Sequence, residues 1–188
     1  MHARRCAAWG ALFDRGDQLG KGDAMSRKMP EQKPGKSEQV VRTPFEFIDA
    51  VVNMFDGISV DLAALESNTH AQNYFGPDHV DESRRDSLIA KWPRGTSCWL
   101  NPPYANIARW VEKCAAHVAT STPHTEIFVL VPASVGANWY RDHVQPFADV
   151  YSVGRMKFVG HEDVYPKDLI LAHYWKLGGY KFRHWKWQ

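Results

Sequence analysis

Hydrophobic residues recur at two different periods along the chain from residue 43 onward. Spacing of three and four residues between positions 45 and 55 predicts a helix, with Thr43 as its N-cap, Pro44 at its first position and Gly57 after its end. The apolar face expected for this helix is Phe45, Ile48, Val51, Val52 and Phe55. The same spacing between positions 107 and 118 predicts a second amphipathic helix. Its expected face is Ile107, Trp110, Val111, Cys114, Ala115 and Val118.

Short apolar runs separated by polar turns predict strands. They are "ISVDLAA", with the acidic Asp61 at the end of the strand, then "SCWL", "EIFVLVPAS", "ADVYSVG" and "DLILAHYWKL". Between them, "NWYRDHVQPF" predicts a helix, and "NTHAQNYF" is interpreted as another short helix. Because strands and helices alternate, we predict an α/β fold whose central sheet is mostly parallel, with one or two late strands antiparallel.

The residues before this pattern have a different composition. Residues 14–42 are rich in Gly, Lys, Glu, Ser and Pro and offer almost nothing to bury, which is typical of a disordered or linker segment. The apolar run "CAAWGALF" lacks the cleavage site expected of a secretory signal, so no signal is predicted. We therefore predict a linker over residues 1–42 and one folded domain over residues 43–188.

Charge and cysteine content exclude few functions. A net charge of +2 over 188 residues permits a nucleic-acid partner without demanding one. Three cysteines and nine histidines stand at spacings that match neither a disulfide framework nor a metal site, so no metal is expected. No run approaches the roughly 20 apolar residues that a membrane span needs, and we expect a soluble protein of the reducing cytoplasm.

Residues 101–104, Asn-Pro-Pro-Tyr, connect a predicted strand to the second helix. Asn101 offers a side-chain carbonyl, and Pro102 offers a backbone carbonyl with no competing N–H, held rigid by Pro103. Two such acceptors suit the hydrogens of a planar amine such as adenine N6, where they would stabilise charge developing on the nitrogen. Tyr104 offers a flat face for a base taken out of its duplex. The alternative is that these residues only shape a tight turn.

Six pieces of the chain carry a family resemblance, by their order and spacing. They are "TPFEFIDAV", "VDLAALESNTHAQNYF", "DSL", "WLNPPYANIARWVEKC", "VLVPAS…NWYRD" and "GRMKFVG…PKDLILAHYW". Together they resemble the phage-type DNA N6-adenine methyltransferases, which use S-adenosyl-L-methionine. Only the Asn-Pro-Pro-Tyr piece is highly specific alone. The resemblance implies a Rossmann-like methyltransferase fold, with a mostly parallel central sheet, helices on both faces and the methyl donor lying across the strand ends.

The resemblance also implies which residues contact the cofactor. Asp61 is similar to the family's first acidic residue, with a turn cap as the alternative, and the small residues after it would let the backbone approach the cofactor. Thr43 would lie near the methionine part, although helix capping also accounts for it, and Asp86 would reach the adenosine part unless it is an exposed turn acid. The implied set is Thr43, Pro44, Asp61, Ala63, Ala64, Asp86 and Asn101. The Gly-x-Gly loop of most enzymes of this class is absent after the first strand.

DNA contacts are expected from Tyr104, Arg109, Arg155, Lys157 and Phe158. Arg155 and Lys157 would contact phosphate, and Phe158 would stack on the target base, with a core position as its alternative. Surface charge is the alternative for the arginines. The carboxyl-terminal "YKFRHWKWQ" suits nucleic acid or a docked final segment, and we favour the docked segment.

The expected function is methyl transfer to adenine N6 in DNA by a phage- or prophage-encoded monomer. One alternative is methylation of another planar amine, in RNA or in a protein glutamine, but those enzymes normally show the Gly-rich motif that is absent here. Cytosine N4 enzymes usually have Ser at the position of Asn101. The other alternative is a non-catalytic nucleic-acid-binding protein that has kept the fold, and the intact motif argues against it.

Overall fold

The computed structural model describes residues 42–188, and all elements below belong to that part. Residues 1–41 of the predicted linker lie outside the described residues. In chain order the elements are α1 (Phe45–Phe55), β1 (Val60–Asp61), β2 (Asn73–Tyr74), β3 (Ser97–Leu100), α2 (Ile107–Ala119), β4 (Glu126–Pro132), α3 (Asn138–His143), β5 (Ala148–Gly154), β6 (Leu169–Tyr174) and β7 (Lys181–His184). Short 3₁₀ turns occupy Glu82–Arg84 and Tyr104–Asn106.

Within residues 42–188 the seven strands form one sheet in the order β2-β1-β3-β4-β6-β5-β7. The pairs β1–β2, β1–β3, β3–β4 and β5–β7 are parallel, whereas β6 runs antiparallel to both β4 and β5. The predicted α/β class, with a mostly parallel sheet and a late antiparallel strand, is confirmed. Because β1, β3 and β4 are parallel neighbours, their carboxyl ends lie along one edge of the sheet.

Helices cover both faces of the sheet. Successive side chains of a strand point to opposite faces, so neighbouring residues of one strand contact different helices. Leu100 and Val129 belong to the buried cluster that includes the inner face of α2. Trp99 and Phe128 belong to the other cluster, which includes the inner face of α1. All six residues predicted for the face of α2 are buried, so that prediction is confirmed.

The start of α1 differs from the sequence prediction. Pro44 occupies the cap position, no side chain among residues 42–188 caps the helix, and the carbonyl of Pro44 accepts hydrogen bonds from the backbone N–H groups of Phe47 and Ile48. The assignment of Thr43 as the N-cap was therefore wrong. The buried face is Phe47, Ile48 and Val51, whereas Phe45 is 51% exposed. The helix is rotated relative to the predicted face, because Phe47 fills the core and Phe45 contacts polar side chains instead.

The segment "NTHAQNYF", predicted as a short helix, is a series of turns that leads into β2. Side chains bond to the local backbone here: Asn68 Oδ1 accepts from Leu65 N at 2.7 Å, and Thr69 Oγ1 donates to the carbonyl of Ala71 at 2.8 Å. Such bonds compete with helical ones. The helix prediction was wrong for this reason.

The carboxyl-terminal segment docks on the sheet, as favoured from its composition. β7 pairs in parallel with β5. Trp187 donates a hydrogen bond from Nε1 to the carbonyl of Val153 at 3.1 Å, and both Trp185 and Trp187 pack against the cluster beneath α1. Among the described residues, no helix is long and apolar enough to cross a membrane.

Candidate active site

The Asn-Pro-Pro-Tyr loop leaves the carboxyl end of β3 and enters α2 through the 3₁₀ turn at Tyr104. Asp61 ends the neighbouring parallel strand β1, where it pairs with Trp99 of β3. The two chemical motifs therefore meet at the same edge of the sheet. This edge is the usual ligand-binding position in open α/β sheets.

A cavity of about 380 Å³ opens at this edge. Its volume lies within the range of roughly 300–1,000 Å³ typical of small-molecule sites. The lining includes most of the residues predicted to bind the cofactor: Thr43, Asp61, Ala63, Ala64, Asp86 and Asn101. Pro44 is not among the lining residues, and its carbonyl accepts hydrogen bonds from the first turn of α1.

Asp61 is the buried acid of the cavity, with 2% of its surface exposed. Its Oδ1 accepts a hydrogen bond from the backbone N–H of Ala63 at 3.2 Å, and its Oδ2 accepts one from that of His70 at 3.1 Å. Burial raises the pKa of Asp61 from 3.8 to about 6, although the two backbone hydrogen bonds oppose the shift. The side chain therefore caps a turn, which was the alternative for this residue, and it also lines the cavity. Its contact with a cofactor stays a prediction.

Asn101 is positioned by a residue far away in sequence. Its Nδ2 donates a hydrogen bond to Oγ1 of Thr43 at 3.2 Å, and Thr43 is 1% exposed. Both side chains line the cavity. The hydroxyl of Thr43 therefore orients the amide of Asn101, the first residue of the Asn-Pro-Pro-Tyr loop.

The rest of the loop divides between the cavity and the core. Pro102 is buried, and Pro103 lines the cavity. Tyr104 is half-buried and packs against both core clusters, with its ring edge against Tyr165 at 5.7 Å between centroids. Burial raises the pKa of Tyr104, and its buried hydroxyl has no hydrogen-bond partner among residues 42–188.

Asp86 lines the cavity from the loop that follows the 3₁₀ turn Glu82–Arg84. Its Oδ1 accepts a hydrogen bond from the backbone N–H of Leu88 at 2.9 Å, so it is also an exposed turn acid. Lys113 of α2 holds this loop by donating to the carbonyls of Ser87, Leu88 and Ala90 at 2.7, 3.2 and 2.6 Å. Burial lowers the pKa of Lys113.

The residues predicted to contact DNA do not line the cavity. Arg109 and Lys157 are exposed, and the exposed Arg155 lies 3.7 Å from the carboxylate of Asp168. Phe158 is 3% exposed and belongs to the cluster beneath α1. Packing therefore accounts for Phe158, and a stacking role would require its ring to leave the core.

Arg42, His70 and Gly76 are among the cavity-lining residues that were not predicted from the sequence. A Cβ placed on Gly76 would overlap the carbonyl oxygen of Ala64, so this glycine permits two backbone segments to pass closely at the cavity wall. Arg42 and His70 contact the same ring, that of Phe45. In the sequence, the one indication of this role for Gly76 was its position directly after the pair Tyr74 and Phe75. Arg42 and His70 join the cavity through tertiary contacts, which the sequence alone does not show. The described residues contain no cluster of three or more His, Cys, Asp or Glu side chains that could hold a metal ion.

The fold and site define a mixed α/β protein with a ligand-sized cavity and an Asn-Pro-Pro-Tyr loop at the strand ends. Residues 31–169 match the family model described as DNA N-6-adenine-methyltransferase (Dam), and the chain belongs to this family. The predicted resemblance is confirmed.

A relative from Haemophilus phage HP1 (strain HP1c1), named "DNA N-6-adenine-methyltransferase", is 26% identical over 106 residues. That alignment covers 55% of this chain and 56% of the relative. The chain thus matches about half the length of this phage protein.

Proposed function

We propose that this protein transfers a methyl group from S-adenosyl-L-methionine to N6 of an adenine that has been flipped out of DNA. Family membership supports the reaction class. The observation that carries the proposal is the meeting of Asn101 with Asp61 in one cavity, with the Asn101 amide held by the buried Thr43. Such a site brings a methyl-donor pocket and amine acceptors together.

The cavity fits a nucleoside-type methyl donor in size and donor chemistry. It combines apolar walls, such as Phe75 and Trp110, with the buried acid Asp61 and the loop acid Asp86. Its shape depends on the close backbone approach at Gly76. In a Rossmann-like methyltransferase fold this is the expected cofactor position. S-adenosyl-L-methionine, when bound, supplies an electrophilic methyl group carried on a sulfonium sulfur.

The amine chemistry is assigned to residues 101–104. The side-chain oxygen of Asn101 and the carbonyl of Pro102 accept the two N6 hydrogens and stabilise positive charge as the nitrogen bonds to the methyl carbon. The proton leaves after transfer, so no strong base is needed beside the nitrogen. The exposed side of Tyr104 stacks on the adenine ring.

DNA is the proposed partner, and its phosphates would contact the exposed Arg109, Arg155 and Lys157. Each of these contributes mainly sequence-independent affinity, which salt weakens. A DNA substrate also favours a location in the bacterial cytoplasm. We also propose that the protein is a monomer and that residues 1–42 form a linker.

The test compares the wild type with Asn101→Ala. We expect transfer of labelled methyl to unmethylated DNA to fall by about 10²- to 10³-fold or more, since the variant loses a group that acts in the transition state. Binding of S-adenosylhomocysteine, measured by calorimetry, should change by less than about fivefold. Thermal unfolding is the control, because loss of folding in the variant would instead favour a purely structural loop.

Product analysis separates the alternatives. Digestion of the labelled DNA should yield N6-methyladenine, and parallel reactions should leave RNA and protein unlabelled. Label in N4-methylcytosine, RNA or glutamine would redirect the substrate assignment. If the wild-type protein neither binds S-adenosylhomocysteine nor labels any of these substrates, the enzymatic proposal is wrong and a binding protein is favoured.

A further inference from the structure

Two nitrogen atoms at one end of the cavity are buried without hydrogen-bond partners among the described residues: Nε of Arg42 and Nδ1 of His70. Both residues line the cavity. A buried polar atom without a partner costs free energy, so buried donors that line a cavity are explained by a bound group that accepts from them. Two of them beside one cavity indicate a common ligand.

Phe45 brings these two side chains together. The guanidinium carbon of Arg42 lies 4.5 Å from the centroid of the Phe45 ring, and the imidazole of His70 lies edge-on to the same ring at 5.4 Å. Phe45, in the first turn of α1, is 51% exposed, and its ring contacts these two polar side chains rather than the core. The backbone of Arg42 is fixed separately, because its carbonyl accepts a hydrogen bond from the N–H of Val159 at 2.9 Å.

The charges at this end favour a particular kind of ligand. Burial, together with the positive charge of Arg42, lowers the pKa of His70 to about 4, so the imidazole is neutral near pH 7 and donates from Nδ1 when its proton lies there. The guanidinium donates from Nε and carries the positive charge. A cation and a neutral donor together suit a singly charged, planar anion.

Asp61 distinguishes a carboxylate from a phosphate here. Its buried carboxylate accepts the backbone N–H of His70 and lines the same cavity, so the ligand that meets the two donors also meets a negative charge. A doubly charged phosphate would be repelled, whereas an amino acid zwitterion would direct its carboxylate to the donors and its ammonium group toward Asp61.

We infer that Arg42 and His70 bind the carboxylate of the amino-acid part of the methyl donor. The inference rests on the proposed function, since it specifies how the same cavity orients that ligand. Adenosine then lies away from this end, in the direction of Asp86. Arg42 and His70 are binding residues in this assignment, and neither exchanges a proton with the target amine.

Arg85 provides a matched control, because it also lines the cavity but its guanidinium is already engaged. Its Nε donates to the carbonyl of His79 at 2.9 Å, and its side chain pairs with Glu82 at 3.0 Å. Substitution of either arginine by methionine removes the same charge and keeps a long apolar side chain. Of the two arginines, only Arg42 should matter for the carboxylate.

The experiment measures binding of S-adenosylhomocysteine and of its decarboxylated analogue, which keeps the amine, by calorimetry on the full chain. We expect the wild type to prefer S-adenosylhomocysteine by roughly 10- to 100-fold, as one charged hydrogen-bonded group would give. Arg42→Met should abolish this preference by weakening only S-adenosylhomocysteine, Arg42→Lys should restore part of it, and Arg85→Met should keep it. His70→Phe should reduce the preference severalfold.

Other outcomes overturn the inference. Equal binding of the two ligands by the wild type excludes a carboxylate subsite and needs no variant, so it decides the matter even if Arg42→Met does not fold. An equal loss of both ligands in a folded Arg42→Met protein would make Arg42 a general structural residue. Failure of the wild type to bind either ligand would instead contradict the proposed function itself.

Discussion

The amide nitrogen of Asn101 and the hydroxyl oxygen of Thr43 lie 3.2 Å apart, although 58 positions separate the two residues in sequence. Thr43 precedes α1, on one face of the sheet, and Asn101 follows β3 within the sheet. The bond therefore ties the segment just before α1 to the loop that is proposed to hold the target amine. An amide fixed through its NH₂ group presents its oxygen in one direction, as a positioned acceptor must.

Replacing Thr43 by Val tests this positioning role. Valine fills nearly the same volume but accepts no hydrogen bond, so the Asn101 amide loses one orienting contact worth about 1 kcal/mol. We expect the methyl-transfer rate at saturating cofactor to fall by about tenfold. Single-turnover transfer of labelled methyl to DNA measures this rate.

Thr43→Ser is the matched control, because it keeps the hydroxyl and should retain most of the rate. Binding of S-adenosylhomocysteine should remain within about threefold in both variants. Equal rates for the valine and serine variants would show that the hydroxyl does not position Asn101.

Replacing Gly76 by Ala tests the close backbone approach at the cavity wall. The added Cβ would overlap the carbonyl oxygen of Ala64, and backbone cannot move aside as a flexible side chain can. We expect the free energy of unfolding to fall by about 2–4 kcal/mol. Gly136→Ala is the control, since a Cβ there meets nothing within 4 Å, and it should stay within about 1 kcal/mol of the wild type. Urea unfolding measures both variants, and similar losses of unfolding free energy in the two would contradict this account.

Replacing Lys113 by Met tests how α2 supports the loop that carries Asp86. Three backbone carbonyls lose their shared donor, so we expect unfolding free energy to fall by about 2–3 kcal/mol and S-adenosylhomocysteine to bind more weakly. Lys176 donates to a single carbonyl, that of Ala119, at an exposed position. Lys176→Met should therefore change either quantity by less than about 1 kcal/mol. Unchanged cofactor binding in a folded Lys113→Met protein would show that this loop does not contribute to ligand binding.

The strength of the sequence predictions varied with the kind of signal. The buried face of α2 follows from periodicity alone, because a helix packed on a sheet needs only a continuous apolar stripe. In α1 the same rule misassigned Phe45, whose ring supports the arginine and imidazole side chains, and missed Phe47, which fills the core. Periodicity does not distinguish an apolar residue that contacts the core from one that supports a polar site.

The cavity was predictable only in part. Thr43, Asp61 and Asn101 were proposed from motif order, and the sheet brings them together because parallel strands end on one edge. Arg42 and His70 belong to this site through contacts with α1 and with Asp61 that no local pattern specifies.

The buried acid and imidazole of the cavity should have opposite effects on stability between about pH 4 and 6.5. For Asp61 the folded-state pKa is raised from 3.8 to about 6, so the native state holds a proton that the unfolded chain has released, and stability falls as pH rises through this window. For His70 the folded-state pKa is lowered from 6.5 to about 4, so the unfolded chain binds more protons and stability rises with pH there. The two contributions partly cancel in the wild type.

Asp61→Asn removes the pH-dependent contribution of the acid to stability, so the variant should show the rise in stability with pH that His70 causes. The stability of the wild type minus that of the variant should decrease by about 2 kcal/mol between pH 4 and pH 7. Each unit of pKa shift corresponds to about 1.4 kcal/mol, and the acid of the unfolded chain is already more than half ionised at pH 4. Urea unfolding at intervals across this range measures the difference, and groups common to both proteins cancel in it. A pH-independent difference would mean that Asp61 titrates alike in both states, and that its burial at the end of β1 does not perturb its charge.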